Sequence, residues 1–166
     1  SEALNSNLYI IFGASYIKGW LINYLSKKKA LNIHMGLSPY YRGSSCNFWA
    51  VYDKNPEYVG ATIHLLSKGL DSGDILYHCL PNTKYKNIFE YTMSSVTSAH
   101  KCLVKMIKNR SVFKTRPVKQ NKYLQIRYSK NKNFKDNLVK NFFKSRSKTL
   151  KSKRTIERSI NKLKLV

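Results

Sequence analysis

Acidic residues are what this chain has least of: 8 Asp and Glu stand against 31 Lys and Arg in 166 residues, a formal charge of +23. Cysteine is nearly as scarce. The three cysteines, Cys46, Cys79 and Cys102, are odd in number and widely spaced, which excludes a disulfide framework and every zinc-ligand pattern. A reducing, cytoplasmic setting is the expectation that follows. No run approaches the ~18 consecutive apolar residues that a membrane-spanning helix needs. No basic start leads into an apolar stretch and a small-residue cleavage site, so no secretory signal is read. What is present is 42% hydrophobic and 13% aromatic residues, enough for a buried core, and a length that suits one domain. Residue 1 is Ser rather than Met, and the chain is already strongly apolar by Phe12; this leads us to expect a processed protein or a piece of a longer one.

The charge is not evenly spread. Residues 1–100 hold 9 Lys/Arg and 6 Asp/Glu, a net of +3, whereas residues 101–166 hold 22 and 2, a net of +20. The first part reads as a balanced globular region. The second is a cationic segment that repels itself unless a polyanion or counterions screen it. Two readings stay open for it: a contact with nucleic acid or an anionic surface, and a merely solvated, lysine-rich surface.

Hydrophobic patterning gives an order of elements. Leu8 to Phe12 is a short apolar run, expected to be a strand buried on both faces, ended by Gly13. Bulky residues at 16, 17, 20, 21, 24 and 25 form the stripe of an amphipathic helix, with Lys27 to Lys29 at its C-terminal end. Ala30 to His34 is a second strand, and Met35 to Gly43 a loop with two glycines and Pro39. Ser44 or Ser45 is placed to cap a short helix bearing Phe48, Trp49 and Tyr52. Strands are expected over 59–66 and 75–80, separated by the turn Gly69 to Asp74, then a long helix over 87–109. Beyond Pro117 the pattern weakens to a strand over 123–128 and helices over 134–143 and 155–165. Alternating strands and helices in the first hundred residues imply an α/β domain with a mainly parallel sheet.

Two places could carry chemistry. Asn32 and His34 alternate with Ile33 on one strand, so they share a face roughly 6–7 Å apart. They lie at the carboxyl end of that strand, where open α/β sheets place ligands. Asp71 and Asp74 flank a glycine-containing turn; Asp is also common in ordinary turns because it bonds its own backbone. Taken alone, each piece is more often structural than functional.

In order, the segments are Asn32-x-His34, Tyr41-Arg42-Gly43, the aromatic helix with Trp49, Gly60-Ala61-Thr62-Ile63-His64 and Leu70-Asp71-Ser72-Gly73-Asp74-Ile75. Taken together they resemble the catalytic half of the folate-dependent formyltransferases, over about residues 8–76 and more weakly to Asn109. The resemblance implies a Rossmann-like sheet, of which this chain supplies the C-terminal half, with a formyltransferase catalytic region over residues 1–115 and a basic α+β segment over 116–166. It implies 10-formyltetrahydrofolate as formyl donor and Asn32, His34 and Asp71 as a catalytic set. An amine attacks the formyl carbon, Asn32 and a protonated His34 donate to the developing oxyanion, and Asp71 supports the imidazolium and helps remove the amine's proton. Asp74 holds the turn; His64 either orients Asp71 or is a supporting hydrogen-bonder. No metal is implied.

The same resemblance places the folate pocket at Gly13, Ala14, Ser15, Tyr16 and Ile17, with Leu37 and Pro39 from the next loop. There Gly36-Leu37-Ser38-Pro39 departs from the family's Ser-Leu-Leu-Pro signature at Gly36 and Ser38, which puts the apolar wall over the folate in question. Arg42 is an acceptor-binding or loop-anchoring residue, or a surface charge. The family's preceding βαβα half has no counterpart here, so an unpaired sheet edge is expected. The segment after Pro117 does not read as the β-barrel that tRNA-directed members carry. That favours a small amine, such as an amino sugar on a nucleotide, over methionyl-tRNA. A non-catalytic polyanion-binding module built on a formyltransferase half remains an alternative, and association into oligomers is open.

Overall fold

The computed structural model describes residues 5–82, 84–145, 153–163 and 165–166. Along the chain run β1 (Ile10–Phe12), α1 (Gly19–Lys27), β2 (Leu31–His34), β3 (Tyr41–Gly43), α2 (Cys46–Tyr52), β4 (Ala61–Leu65), β5 (Ile75–Cys79), α3 (Ile88–Lys108), β6 (Arg127–Ser129), α4 (Asp136–Ser145) and α5 (Lys153–Ile160). The main sheet has the order β1-β2-β4-β5, and β3 and β6 form a separate two-stranded ladder.

The fold is α/β, but the sheet is mixed rather than mainly parallel. Only β1 and β2 run parallel within it, because α1 supplies the crossover that parallel neighbours need. β4 is antiparallel to β2, and β5 antiparallel to β4. The Gly69–Asp74 turn is too tight to return a strand in the same direction, and the seven-residue α2 packs elsewhere instead of crossing the sheet.

Strand β1 also departs from expectation. It pairs only with β2, and Ile10 and Phe12 remain 44% and 43% exposed, so it is an edge strand and not one buried on both faces. Helix α1 begins at Gly19 rather than Tyr16; its buried face is Ile22 and Leu25, while Trp20 stands in solvent. Helix α2 lacks the predicted hydroxyl cap: Ser45 sits at its N-cap in a left-handed conformation and its side chain caps nothing. Burial of Cys46, Asn47, Trp49, Ala50 and Val51 holds it instead. The predicted Met35–Gly43 loop ends in a strand, because Tyr41–Gly43 finds a parallel partner in Arg127–Ser129.

Helix α3 is capped by Asn87, whose Oδ1 accepts from the Glu90 N–H. Its buried face is Ile88, Tyr91, Ser95, Val96, Ala99, Leu103 and Met106; Phe89 and Ile107 point outward. The lower half packs on Leu31, Ile33, Ala61, Ile63 and Leu76 of the sheet. The upper half joins a second core built on α2, which includes Leu37, Trp49, Val59 and Ile156 and is flanked by Leu138, Phe142 and Ile160. Apolar residues of the basic segment thus complete this core, each fully buried side chain being worth about 1.5–3 kcal/mol. Arg127 ties the segment down further, with a two-pronged ion pair to Asp53 at 2.6 and 2.7 Å over the Trp49 ring.

Candidate active site

The pairing register builds the site. Toward the C-terminal end of β2, Asn32 and His34 point to one side, and the antiparallel register sets Asn32 directly opposite His64 of β4. The β4–β5 ladder slips between Ile63 and His64, a bulge that re-aims the chain next to the site. Asp71 enters from the β4–β5 loop in a left-handed conformation (φ 47°) and is 8% exposed.

The four side chains converge. The His64 Nδ1–H donates to the Leu65 carbonyl (2.8 Å), which leaves Nε2 to accept from Asn32 Nδ2 at 3.1 Å. Asn32 Nδ2 also lies 3.5 Å from Asp71 Oδ1. The same carboxylate oxygen is 3.4 Å from His34 Nδ1 and 3.8 Å from His64 Nε2. Asp71 Oδ2 accepts the Gly43 N–H at 3.0 Å. His34 Nε2 meets the Tyr41 carbonyl at 3.1 Å. His64 thus hydrogen-bonds Asn32, with Asp71 Oδ1 3.8 Å from the same nitrogen.

Burial would raise the Asp71 carboxyl, but His34, His64 and the Gly43 N–H overcome this and hold it below its ordinary value. For His34, burial dominates and lowers the imidazole, with Asp71 pulling it part of the way back. Burial thus favours the neutral imidazole, whereas the expectation from the sequence is a protonated His34. A neutral ring has one hydrogen and an acceptor against each nitrogen, Tyr41 O and Asp71 Oδ1. One of these contacts stays unsatisfied until the ring takes up a proton.

Asn32, His34 and Asp71 form part of the wall of a cleft of about 1010 Å³, together with Gly13, Ala14, Ser15 and Tyr16. Gly13 has a positive φ (64°), and the Tyr16 hydroxyl reaches across to the Lys68 carbonyl at 3.1 Å. Ile17, Leu37 and Pro39 do not line this cleft. Leu37 is wholly buried beneath Gly60, because Thr62 pins its loop inward by donating to the Gly36 carbonyl (2.6 Å) and accepting the Ser38 N–H (2.9 Å). Gly36 lies so close to His34 that a Cβ there would be 2.6 Å from Nε2 and from the Cys46 Cβ, which is why the family's Ser has no room. The cleft is also lined by apolar residues, among them Phe89 and Met93 of α3 and Phe142 and Phe143 of α4.

Arg42 anchors loops, donating to the Leu70 carbonyl (2.6 Å) and to Gln125 Oε1 (3.1 Å). Asp74 contributes only its backbone carbonyl to the turn, accepting from the Leu65 N–H, while its side chain is exposed. Ser67, Ser72 and Gln120 do the holding: the two hydroxyls are 2.9 Å apart, and Gln120 Nε2 reaches the carbonyls of Asp71 and Gly73. Gln120, Thr62 and the Gly43 N–H have no local sequence signal, since each acts on residues distant along the chain.

The fold is α/β, with Asn32, His34 and Asp71 gathered at the rim of its main sheet. Residues 16–107 match the formyl transferase family, and the chain belongs to that family. It is 28% identical over 113 residues to formyltetrahydrofolate deformylase 1, mitochondrial, of Arabidopsis thaliana, covering 68% of this chain and 33% of that protein. A methionyl-tRNA formyltransferase of Desulforamulus reducens is 40% identical over 52 residues, 31% of this chain and 16% of that one. The chain thus spans about a third or less of the length of these curated relatives. Its fold is similar to that of the formyltransferase PseJ of Anoxybacillus kamchatkensis, crystallised with UDP-4,6-dideoxy-4-formamido-L-AltNAc and tetrahydrofolate. That likeness has a TM-score of 0.66 at 20% identity and covers 92% of this chain and 77% of that one. Among the described residues no helix is long and apolar enough to cross a membrane.

Proposed function

We propose that this chain carries the formyl-transferring centre of a folate-dependent enzyme, with Asn32, His34 and Asp71 as catalytic residues and 10-formyltetrahydrofolate as formyl donor. One observation carries the reading. An amide, an imidazole and a carboxylate from stretches 39 residues apart meet within 3.5 Å on the wall of one cleft, in a chain of the formyl transferase family. At about 1010 Å³ the cleft has room for a folate, and the exposed Gly13–Tyr16 stretch offers it backbone groups.

The donor supplies an electrophilic formyl carbonyl, on whose oxygen negative charge gathers when a neutral amine attacks the carbon. Of the hydrogens on Asn32 Nδ2, the one toward Asp71 is the more weakly held, at 3.5 Å, and is the one an oxyanion recruits. His34 then acts as the base: the amine's proton, arriving directly or through water, goes to the ring nitrogen that faces an acceptor without a hydrogen. Both ring contacts are then satisfied; as the oxyanion collapses, the bond between the formyl carbon and the donor nitrogen breaks, and the proton held on His34 passes to that nitrogen as tetrahydrofolate leaves. Asp71, ionised at neutral pH, stabilises the imidazolium. In purified protein, Asn32→Ala and His34→Ala should each lower formyl transfer by about 10²–10³ while the unfolding curve is kept. Wild-type rates in either variant refute the assignment.

The deformylase relative favours a second reading, in which water takes the place of the amine and formate is released. Formate production from 10-formyltetrahydrofolate without any amine separates the two. For the acceptor we infer an amino sugar on a nucleotide, supported by the ligand of the PseJ structure; the methionyl-tRNA formyltransferase relative supports tRNA as the alternative. A panel of nucleotide amino sugars against aminoacylated tRNA decides between them. Salt-dependent nucleic-acid binding with no folate binding would instead favour a non-catalytic polyanion-binding role for the basic segment.

A further inference from the structure

We propose that Gln120 is a positioning residue for the Asp71 carboxylate, which makes the segment following α3 a working part of the candidate active site. The inference rests on the function proposed above and adds a residue outside the 16–107 stretch that matches the family.

Gln120 is brought to the site by the backbone. Val118 exchanges both of its hydrogen bonds with Ile75, at 2.8 Å each, forming an antiparallel bridge at the first residue of β5. Two residues later the Gln120 side chain, 9% exposed, passes under the loop that carries Asp71. Its Nε2 donates to the Asp71 carbonyl at 2.9 Å and to the Gly73 carbonyl at 2.7 Å, so both amide hydrogens are spent on that one loop. Two carbonyls a dipeptide apart, held by a single nitrogen, fix the backbone between them.

That backbone needs fixing. Asp71 occupies the left-handed region (φ 47°), which a residue with a Cβ adopts only where its surroundings impose it. From the other side the loop is hemmed in at Gly73, where a Cβ would overlap the Leu65 carbonyl and come within 3.2 Å of His64 Nδ1. A third carbonyl of the loop, that of Leu70, is held by Arg42, itself bonded to Gln125 of the same C-terminal segment. The direction of the Asp71 side chain follows from this restrained backbone.

The other end of Gln120 points to the same role. Its Oε1 is buried and has no hydrogen-bond partner among the described residues. Buried acceptors are seldom left unpaired, so the side chain owes its place to its donor end.

The test measures where Asp71 sits. The charged or titratable groups around the pair are His34 of β2, His64 of β4, Arg42 of β3 and Cys46 of α2. Gln120→Met alters none of them and adds no charge. In the full chain, the His34 imidazole is followed by NMR titration, its resonance assigned by its loss in His34→Gln. Because Asp71 is the larger of the two groups that raise the His34 midpoint, the other being the Tyr41 carbonyl, Gln120→Met should lower it. kcat for formyl transfer should fall about tenfold to a hundredfold, the cost of a displacement of about 1 Å, with KM for 10-formyltetrahydrofolate little changed. An unchanged His34 midpoint in folded Gln120→Met overturns the proposal. Should Gln120→Met not fold, Gln120→Asn, which keeps the amide but shortens its reach by one methylene, carries the same test. A shifted midpoint in a protein that neither transfers nor hydrolyses the formyl group supports the positioning role while refuting the reaction assigned above.

Discussion

Gly43→Ala probes the contact through which the site is joined to the C-terminal segment. Gly43 ends β3 opposite Ser129 of β6, with φ 94°. A Cβ there would stand 3.0 Å from the Ser129 carbonyl carbon, 3.2 Å from its nitrogen and nearer still to its oxygen. All three are backbone atoms, so no side chain can swing away. Forcing alanine into a positive φ costs about 1–2 kcal/mol. Relieving the clash must also part β3 from β6 and draw the Gly43 N–H away from Asp71 Oδ2, where a hydrogen bond to a charged acceptor is worth about 1.5–3 kcal/mol. The two together come to roughly 3–5 kcal/mol. Gly13 is the internal control: it too has a positive φ (64°), but no heavy atom lies within 4 Å of its would-be Cβ, so only the ~1–2 kcal/mol backbone cost applies. Urea unfolding at neutral pH should move the Gly43→Ala midpoint by roughly 1–2 M more than that of Gly13→Ala. Equal shifts in the two variants would refute the account of the Gly43–Ser129 contact, and full activity in Gly43→Ala would detach Asp71 from it.

Acid should weaken the fold in two stages. Burial lowers His34 and His78 from their ordinary value of 6.5, so the unfolded chain binds more protons than the folded one as pH falls below it. Stability present above about pH 6.5 is therefore lost on acidification. Asp71, held below 3.8, adds a further loss only in stronger acid. His78 donates to the Ser38 carbonyl and accepts the Val166 N–H, which a second ring proton would displace, so His78→Gln should flatten part of the urea-midpoint profile between pH 8 and 5. A flat wild-type profile would contradict this. Arg127→Met should cost about 1–2 kcal/mol, discounted because the guanidinium is 34% exposed, through loss of the two-pronged Asp53 pair and the Trp49 stack. That corresponds to a fall in Tm of roughly 2–8 °C by scanning calorimetry, and an unchanged Tm counts against it.

Local patterning carried a good part of this molecule. The alternation of Asn32, Ile33 and His34 places two polar side chains on one face of a strand whatever the rest of the chain does. The 3.6-residue stripe of α3 is likewise a matter of neighbours a turn apart, as is the turn between β4 and β5. Strand direction was less legible. Alternating helices and strands suggest a parallel sheet, yet whether a helix makes a crossover depends on what it packs against, and α2 packs into a second core. For the same reason Leu37 and Pro39, plausible cleft residues from their place in a loop, are drawn inward by Thr62, a partner supplied by another strand.

The chain's own order of residues determines the charge asymmetry, the kinds of element and the chemical types available to a site: amide, imidazole and carboxylate. Which of them meet was decided only on folding. The β2–β4 register sets His64 against Asn32, the β3–β6 ladder aims the Gly43 N–H at Asp71, and Gln120 arrives from 49 residues away. Hydrogen bonds and charges act over a few ångströms of space, and separation along the chain carries no information about that distance until the sheet has closed.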